Sequence, residues 1–264
     1  MNSVENSEVL MMTTVNDIYE YIDSFAPFNT AEQWDNVGVL VGNKEHSVKR
    51  AVVSLDITSD VLAEAHDVDA QLVISHHPII FGGIKTVMSG SPVYDAVSYG
   101  ISCLCAHTNL DKSSVFGVNT ALAQAAGLLN CRPSADGEFL FIANTKDMTA
   151  PDDLAAQIKK NLNMNAVAFT EYNMEINTVG ICSGGGGDEI FSAINHGCDA
   201  FITGEIKHHE LLAANAAGLS VFILGHYKSE DVVIEPLVRR LGEKFPDVEF
   251  MKSKVFSDGV GMMF

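Results

Sequence analysis

The stretch RAVVSLDITSDVLAEAHDVDAQLVISHHP, residues 50–78, decides the fold. RAVVSLDI (50–57) and QLVISHH (71–77) are apolar runs of strand length, and Val61 to His66 between them carries a helical pattern. Strand, helix, strand is the unit of a sheet covered by helices. The second strand also ends on two histidines and a proline, so this stretch introduces the chemistry as well as the architecture.

The rhythm extends in both directions. Upstream, Thr14 and Asp17 have the spacing of a capping box, and Val15, Ile18, Tyr19, Ile22 and Phe25 follow at helical spacing until Pro27. A short strand is expected at GVLVG (38–42). Downstream come a helix over Val93 to Tyr99, a strand at ISCLCAH (101–107), an Ala-rich helix over Val118 to Ala126 and a strand at EFLFIAN (138–144). The second half repeats the pattern: a helix over Asp152 to Leu162, strand NTVGICS (177–183), a helix over Asp188 to His196, strand AFITG (200–204), a helix through His208 to Ala216, strand SVFILGH (220–226) and a closing helix from Ser229 to about Phe245. The expected class is α/β, with two units built on parallel or mixed sheets covered by helices and a seam within Gly127 to Pro151, where turn residues and charge concentrate. LVISHHP then AHTNLD in the first half echoes AFITGEIKHHE then GHYKSE in the second; duplication and chance similarity between strand ends both account for it.

Composition excludes several classes. The 264 residues suffice for one large or two modest domains, and 47% hydrophobic with 19% charged residues lies far from disordered chains. Sixteen Lys and Arg against thirty-four Asp and Glu give a net charge of −18, which repels a phosphate backbone and disfavours nucleic acid as a partner. There is no apolar run long enough for a membrane span and no secretory signal in MNSVENSEVLMM, where Glu5 and Glu8 stand without a basic residue. Five cysteines, an odd number lacking C-x-x-C, read as reduced thiols of a cytoplasmic protein. Met11-Met12 and Met262-Met263 suggest contact surfaces or frayed ends.

Histidines supply the strongest chemical signal. His76-His77, His107, His208-His209 and His226 fall at strand ends or the helices that begin there, with His196 on a helix. In an open α/β sheet the carboxyl ends of the strands face the ligand crevice, so residues after LVIS, LCA and FILG are expected to converge. Pro78 breaks the strand after His77 and lets both imidazoles of the pair address one cleft. His107-Thr-Asn-Leu-Asp111 and His226-Tyr-Lys-Ser-Glu230 each place an imidazole four residues before a carboxylate, a combination suited to a divalent ion but also to a helix-start ion pair. Together they offer four imidazoles and two carboxylates, the inventory of a dinuclear centre. Two cations roughly 3.5 to 4 Å apart need a bridging carboxylate or hydroxide, and a water between them becomes a nucleophile at neutral pH. Glu230 is a candidate bridge. Gly184 to Gly187 reads either as an anion-cradling loop or as a tight strand-to-helix turn, and Trp34 before its strand reads as packing, with Asp35 and Asn36 placed to cap or hydrogen-bond near the site.

WDNVGVLVG (34–42), LVISHHPIIF (72–81), AHTNLD (106–111), GEIKHH (204–209) and GHYKSE (225–230) resemble, in order and spacing, motifs of the GTP cyclohydrolase I type 2 homologue family, also called the Nif-three-like family, in its short form without an inserted domain. The resemblance implies two related three-layer α/β domains with mixed sheets, the first discontinuous (1–126 plus 225–264) around a second (127–224), with a dinuclear metal site in the cleft between them. Carried over by motif, His76 and Asp111 would hold one ion, His77 and His226 the other, Glu230 would bridge both, and His107 would be a further ligand or near neighbour. It implies two divalent ions per subunit, for which the donors suit Zn, Fe or Mn, and a ring-shaped homohexamer built from dimers. The expected activity is metal-dependent hydrolysis of a C–N, ester or phosphoester bond in a small molecule, with Glu230 and His107 as catalytic residues and His107 or one of His208-His209 shuttling protons. GTP ring opening is implied by the family name alone. The alternative is a non-catalytic protein that stores, delivers or senses the ion. The stretch before Thr14 has no counterpart in the family pattern.

Overall fold

The computed structural model describes residues 12–135, 139–170 and 175–259; Met11, Met262, Met263, Glu5, Glu8 and the start of the expected 138–144 strand lie outside these residues. The strands in chain order are β1 (Gly38–Val41), β2 (Arg50–Ser54), β3 (Leu72–Ser75), β4 (Ser102–Cys105), β5 (Leu129–Pro133), β6 (Phe141–Thr149), β7 (Ala168–Phe169), β8 (Ile176–Cys182), β9 (Ala200–Thr203), β10 (Ser220–Ile223) and β11 (Glu249–Lys252). The helices are α1 (Val15–Asp23), α2 (Ser59–Asp67), α3 (Pro92–Tyr99), α4 (Thr108–Asp111), α5 (Val118–Ala126), α6 (Pro151–Asn161), α7 (Ile190–Asn195), α8 (His208–Ala217), α9 (His226–Glu230) and α10 (Ile234–Lys244).

Two mixed sheets result. The first has the order β1-β4-β3-β2-β11, parallel except for β1; the second has the order β5-β6-β8-β9-β10-β7, with β8, β9 and β10 parallel and the others antiparallel. The side-chain period of two sends alternate residues to opposite faces, and both faces are covered. In the first sheet Ala51, Val53, Leu72, Ile74 and Leu104 pack with α1 and α10, while Val52, Val73 and Cys103 pack with α2 and α3. In the second, Phe141, Val179, Ile181, Ile202 and Phe222 meet α5 and α6, and Ile142, Phe201 and Val221 meet α7 and α8. Burial on both faces explains why the parallel strands read as unbroken apolar runs.

Register positions the site. Ser54, Ser75 and Cys105 are aligned across β2, β3 and β4, so Asp56, His76-His77 and His107 leave the first sheet at one edge. Cys182, Thr203 and Ile223 are aligned across β8, β9 and β10, so Gly184, Glu205 and His226 leave the second sheet together. The N–H of Gly184 donates to Ser229 Oγ at 2.9 Å, and buried Asn119 on α5 receives the Ser183 N–H at 2.9 Å while its amide donates to Phe139 O at 3.2 Å.

The capping box forms as expected: Asp17 N–H donates to Thr14 Oγ1 at 3.2 Å and Thr14 N–H to Asp17 Oδ2 at 2.8 Å. The closing helix differs. It divides into α9, a short 3-10 turn over Asp231–Val233 and α10. Pro236 lacks an N–H and would leave an open bond inside one continuous helix; restarting at Ile234 puts it in a first turn, where nothing is lost. The helix expected from Asp188 likewise begins as a 3-10 turn, Gly186–Glu189, before α7. Strands β5, β7 and β11 fall outside the strands expected from sequence, and the turn-rich 127–151 segment forms the β5–β6 pair. Among the described residues no helix is long and apolar enough to cross a membrane.

Ile74 is fully buried two residues before His76. Truncation to Ala should cost about 3 kcal/mol of stability, read from the denaturant midpoint; a loss near zero would mean that the core under the site collapses around the deletion.

Candidate metal centre

Six side chains foreseen from sequence meet where the two sets of strand ends face each other. The imidazole centroids of His76 and His77, His76 and His107, His77 and His107, and His77 and His226 are 5.1, 5.1, 5.5 and 5.3 Å apart. His76 Nε2 lies 3.5 Å from Asp111 Oδ1 and 3.9 Å from Glu230 Oε1. Glu230 Oε2 faces the other way, 3.0 Å from His77 Nε2 and 3.2 Å from His226 Nε2. His76, His77 and His107 form one group able to hold an ion, and His77, His226 and Glu230 another.

Each imidazole is held through its other nitrogen. His76 Nδ1 is 3.0 Å from Ala106 O, His77 Nδ1 is 2.9 Å from Asp56 Oδ1, His107 Nδ1 is 2.9 Å from Asp35 Oδ1 and His226 Nδ1 is 3.3 Å from Glu205 Oε1. All four thus direct Nε2 to the centre, in the arrangement by which outer oxygens fix the tautomer and orientation of metal-binding imidazoles. The consequence is sharpest at His76. A carbonyl oxygen only accepts, so Nδ1 carries the hydrogen and Nε2 presents a lone pair. That lone pair faces two carboxylate oxygens, and His76 Nε2 and Asp111 Oδ1 are both buried without a hydrogen bond. Acceptors turned toward acceptors in a buried space is an arrangement that a cation satisfies. The residues present therefore fit a divalent ion.

The cluster divides its charge unevenly. Burial pushes the pKa of His76 down to about 3, which keeps it neutral. Burial opposes charge on His77 too, but hydrogen bonds to Asp56 and Glu230 outweigh it and raise its pKa to about 10. The hydrogen bond to Glu230 raises the pKa of His226 against its own burial. Burial and the neighbouring Glu230 charge lift Asp111 well above the carboxylate range, whereas Glu230, despite its burial, is held well below it by hydrogen bonds from His226 and His77. Asp35, despite burial, is also depressed, by hydrogen bonds from His107 and Thr108.

Other residues differ from expectation. Trp34 is not core packing: it is 59% exposed, 5.9 Å from Phe81 and 6.2 Å from His107 between ring centroids, and lines a cavity of about 480 Å³ beside the centre. Asn36 donates to Ile80 O at 2.7 Å, which ties the Trp34 segment to the chain beyond His77. His208 and His209 stay on the exposed start of α8, outside the cluster. The glycine loop serves close approach. Gly184, at φ +58°, packs directly against Glu230 Oε1, with no room for a Cβ. Asp56, Glu205 and the pairing of Asp35 with His107 escape a motif search because each acts across the fold, Asp35 on a partner 72 positions away.

Gly184→Ala should displace the Glu230 carboxylate and weaken metal affinity by at least about tenfold while far-ultraviolet dichroism stays native; unchanged affinity by competition with a chelator would remove the loop from the site. Asp35→Asn should loosen His107 and lower metal affinity or turnover by about 10- to 100-fold, with isothermal titration as the check.

The model for Duf34/NIF3 (NGG1p interacting factor 3) matches residues 13–259. Two curated relatives, each called GTP cyclohydrolase 1 type 2 homolog, are 30% identical: that of Clostridium perfringens over 92% of this chain and 97% of its own length, and that of Campylobacter jejuni over 86% and 91%. The crystal structure of a Staphylococcus aureus hypothetical protein superposes with a TM-score of 0.87 at 28% identity, covering 96% of this chain and all of that one. A Bacillus cereus protein related to NIF3 shares the fold, with a TM-score of 0.86 at 18% identity over 96% of this chain and all of its own. With the family model spanning nearly the whole sequence and relatives matched along almost their full length, the chain belongs to the Duf34/NIF3 family, in its short form.

Proposed function

We propose that the chain is a metal-dependent hydrolase with two divalent ions per subunit, acting on a C–N, ester or phosphoester bond of a small molecule. The observation that carries this reading is the buried His76 Nε2 lone pair facing Asp111 Oδ1 and Glu230 Oε1, with the second oxygen of Glu230 turned to His77 and His226. One carboxylate divided between two nitrogen sets is the disposition a bridge requires. His76 and Asp111 would hold the first ion, His77 and His226 the second, with Glu230 between; the nitrogen and oxygen donors suit Zn, Fe or Mn. When bound, such ions acidify a water and stabilise developing oxyanion charge.

The chain's own residues supply the rest. Glu230 is buried to 5% exposure and keeps its charge through hydrogen bonds from His226 and His77. His107, steadied at Nδ1 by Asp35, has Nε2 available to accept a proton and return it to a leaving group. The cavity that opens on His107, Asp111 and Glu230 gives a substrate access to them, which favours hydrolysis over ion storage or delivery. GTP ring opening, the activity in the relatives' names, is one member of this reaction class. A homohexamer assembled from dimers accords with the exposed Phe81, Val87, Met88 and Val97, apolar side chains that an isolated protomer leaves in water. Five free cysteines, four of them buried, accord with a reducing cytoplasmic setting.

Elemental analysis of protein purified without chelator should find two equivalents of metal per subunit. Glu230→Gln should lose most of it while remaining folded, and His76→Ala/His77→Ala should lose nearly all, with ester and amide hydrolysis falling in parallel. A Glu230→Gln protein that binds two equivalents as tightly as wild type sinks the bridging assignment.

A further inference from the structure

The cavity beside the centre has a charge pattern that the hydrolase reading alone does not explain. Its floor is Asp111 and Glu230, and its rim carries Glu32, Asp188 and Glu189, with Trp34 on the wall. No lysine or arginine lines it, and all sixteen of the chain's basic residues fall within the described residues. The basic group nearest in sequence to the floor, Lys112, is engaged by Glu32 at 2.6 Å and by Thr30 O at 3.2 Å. Two backbone donors close to the cavity are already spoken for: the Ser183 and Gly184 N–H groups are committed to Asn119 and Ser229, and the glycine loop runs directly into Asp188 and Glu189. Polyanions are ordinarily recognised by arginine forks and lysines, and neither lines this cavity.

Trp34 adds an independent feature. Its indole stands 59% exposed against Phe81 and His107, and an aromatic face beside carboxylates is the usual way to hold an organic cation. Asp111 and Glu230 are already turned to the imidazoles at the floor, which leaves Asp188 and Glu189 as the carboxylates that meet whatever enters.

Resting on the hydrolase reading, we propose that the substrate is a small organic cation, an ammonium or protonated-base compound whose flat or apolar part lies on Trp34 and whose positive end is held by Asp188 and Glu189, rather than a nucleoside triphosphate or other polyanion. Glu32, balanced by Lys112, contributes little to this selection. Asp188 and Glu189 are specificity residues: they touch the substrate away from the bond that breaks.

Trp34 is the only tryptophan, so its fluorescence reports on the cavity directly. Metal-loaded protein is titrated with benzyltrimethylammonium, benzyl alcohol and benzyl phosphate, which share one ring and differ in charge. Benzyltrimethylammonium should bind about tenfold more tightly than benzyl alcohol, with benzyl phosphate weakest, and Asp188→Asn/Glu189→Gln should abolish the preference at unaltered metal content. Tightest binding by benzyl phosphate, no saturable quenching by any probe, or an undiminished preference in the double variant overturns the proposal. Repeating the titration with measured metal content separates the two readings. A protein that takes up no metal yet prefers the cation refutes the hydrolase and leaves the cation site standing; two equivalents of metal with a preference for benzyl phosphate does the reverse.

Discussion

A buried nitrogen lone pair pointed at two carboxylate oxygens cannot be stable in isolation, and the rest of the structure is arranged around that constraint at His76. Its Nδ1 is fixed by a backbone carbonyl, so the ring cannot exchange tautomers without losing a bond. Its surroundings are dry enough to keep it neutral. The carboxylates opposite come from α4 and from α9, on different sheets' strand ends, so the same point joins the two halves of the molecule. A group that satisfies the three buried atoms therefore also fastens the two sheets together, and ligand binding and stability are linked there by mass action.

The geometry has an economy that follows from register. Three aligned strand ends in each sheet face three in the other, and a residue placed one or two positions beyond an end needs no long loop to reach the centre. His76 and His77 are usable together because β3 stops at Ser75, so neither is committed to the alternating directions of a strand. The second sheet can approach only because Gly184 and Gly204 present no side chain to Glu230 and Ser229. The glycine-rich loop is thus a spacing device between sheets.

Much of this was legible in the sequence, for identifiable reasons. Parallel strands buried on both faces, such as LVIS and AFIT, must be apolar throughout, and the crossovers between them must be helical, so fold class follows from periodicity. The clustered histidines were legible because they follow such runs immediately. Edge strands were not: LNCRP and EFMK have one neighbour each and carry exposed or half-buried side chains, so nothing in their composition demands a sheet. Trp34 was misread because aromatic bulk usually means burial, whereas here it furnishes a wall. Asp35 was legible as a hydrogen-bonding residue near the site, but its pairing with His107 and the roles of Asp56 and Glu205 were not, because a lone acidic residue gains its partner only from an imidazole brought to it by tertiary structure.

The position of β11 bears on how the molecule is made. The first sheet takes its edge strand from residues 249–252, and Thr13 at the start of α1 is bonded through its hydroxyl to Asp247 at 2.9 Å. During synthesis the β2-β3-β4 ladder must wait, with β2 open on one side, until nearly the whole chain has left the ribosome, whereas β5 to β10 draw on a contiguous stretch and can close earlier. His226 and Glu230 also arrive late. The nascent chain therefore exposes His76, His77 and Asp111 before their partners exist, so the complete centre forms only after residue 230 has been made, shortly before β11 closes the first sheet.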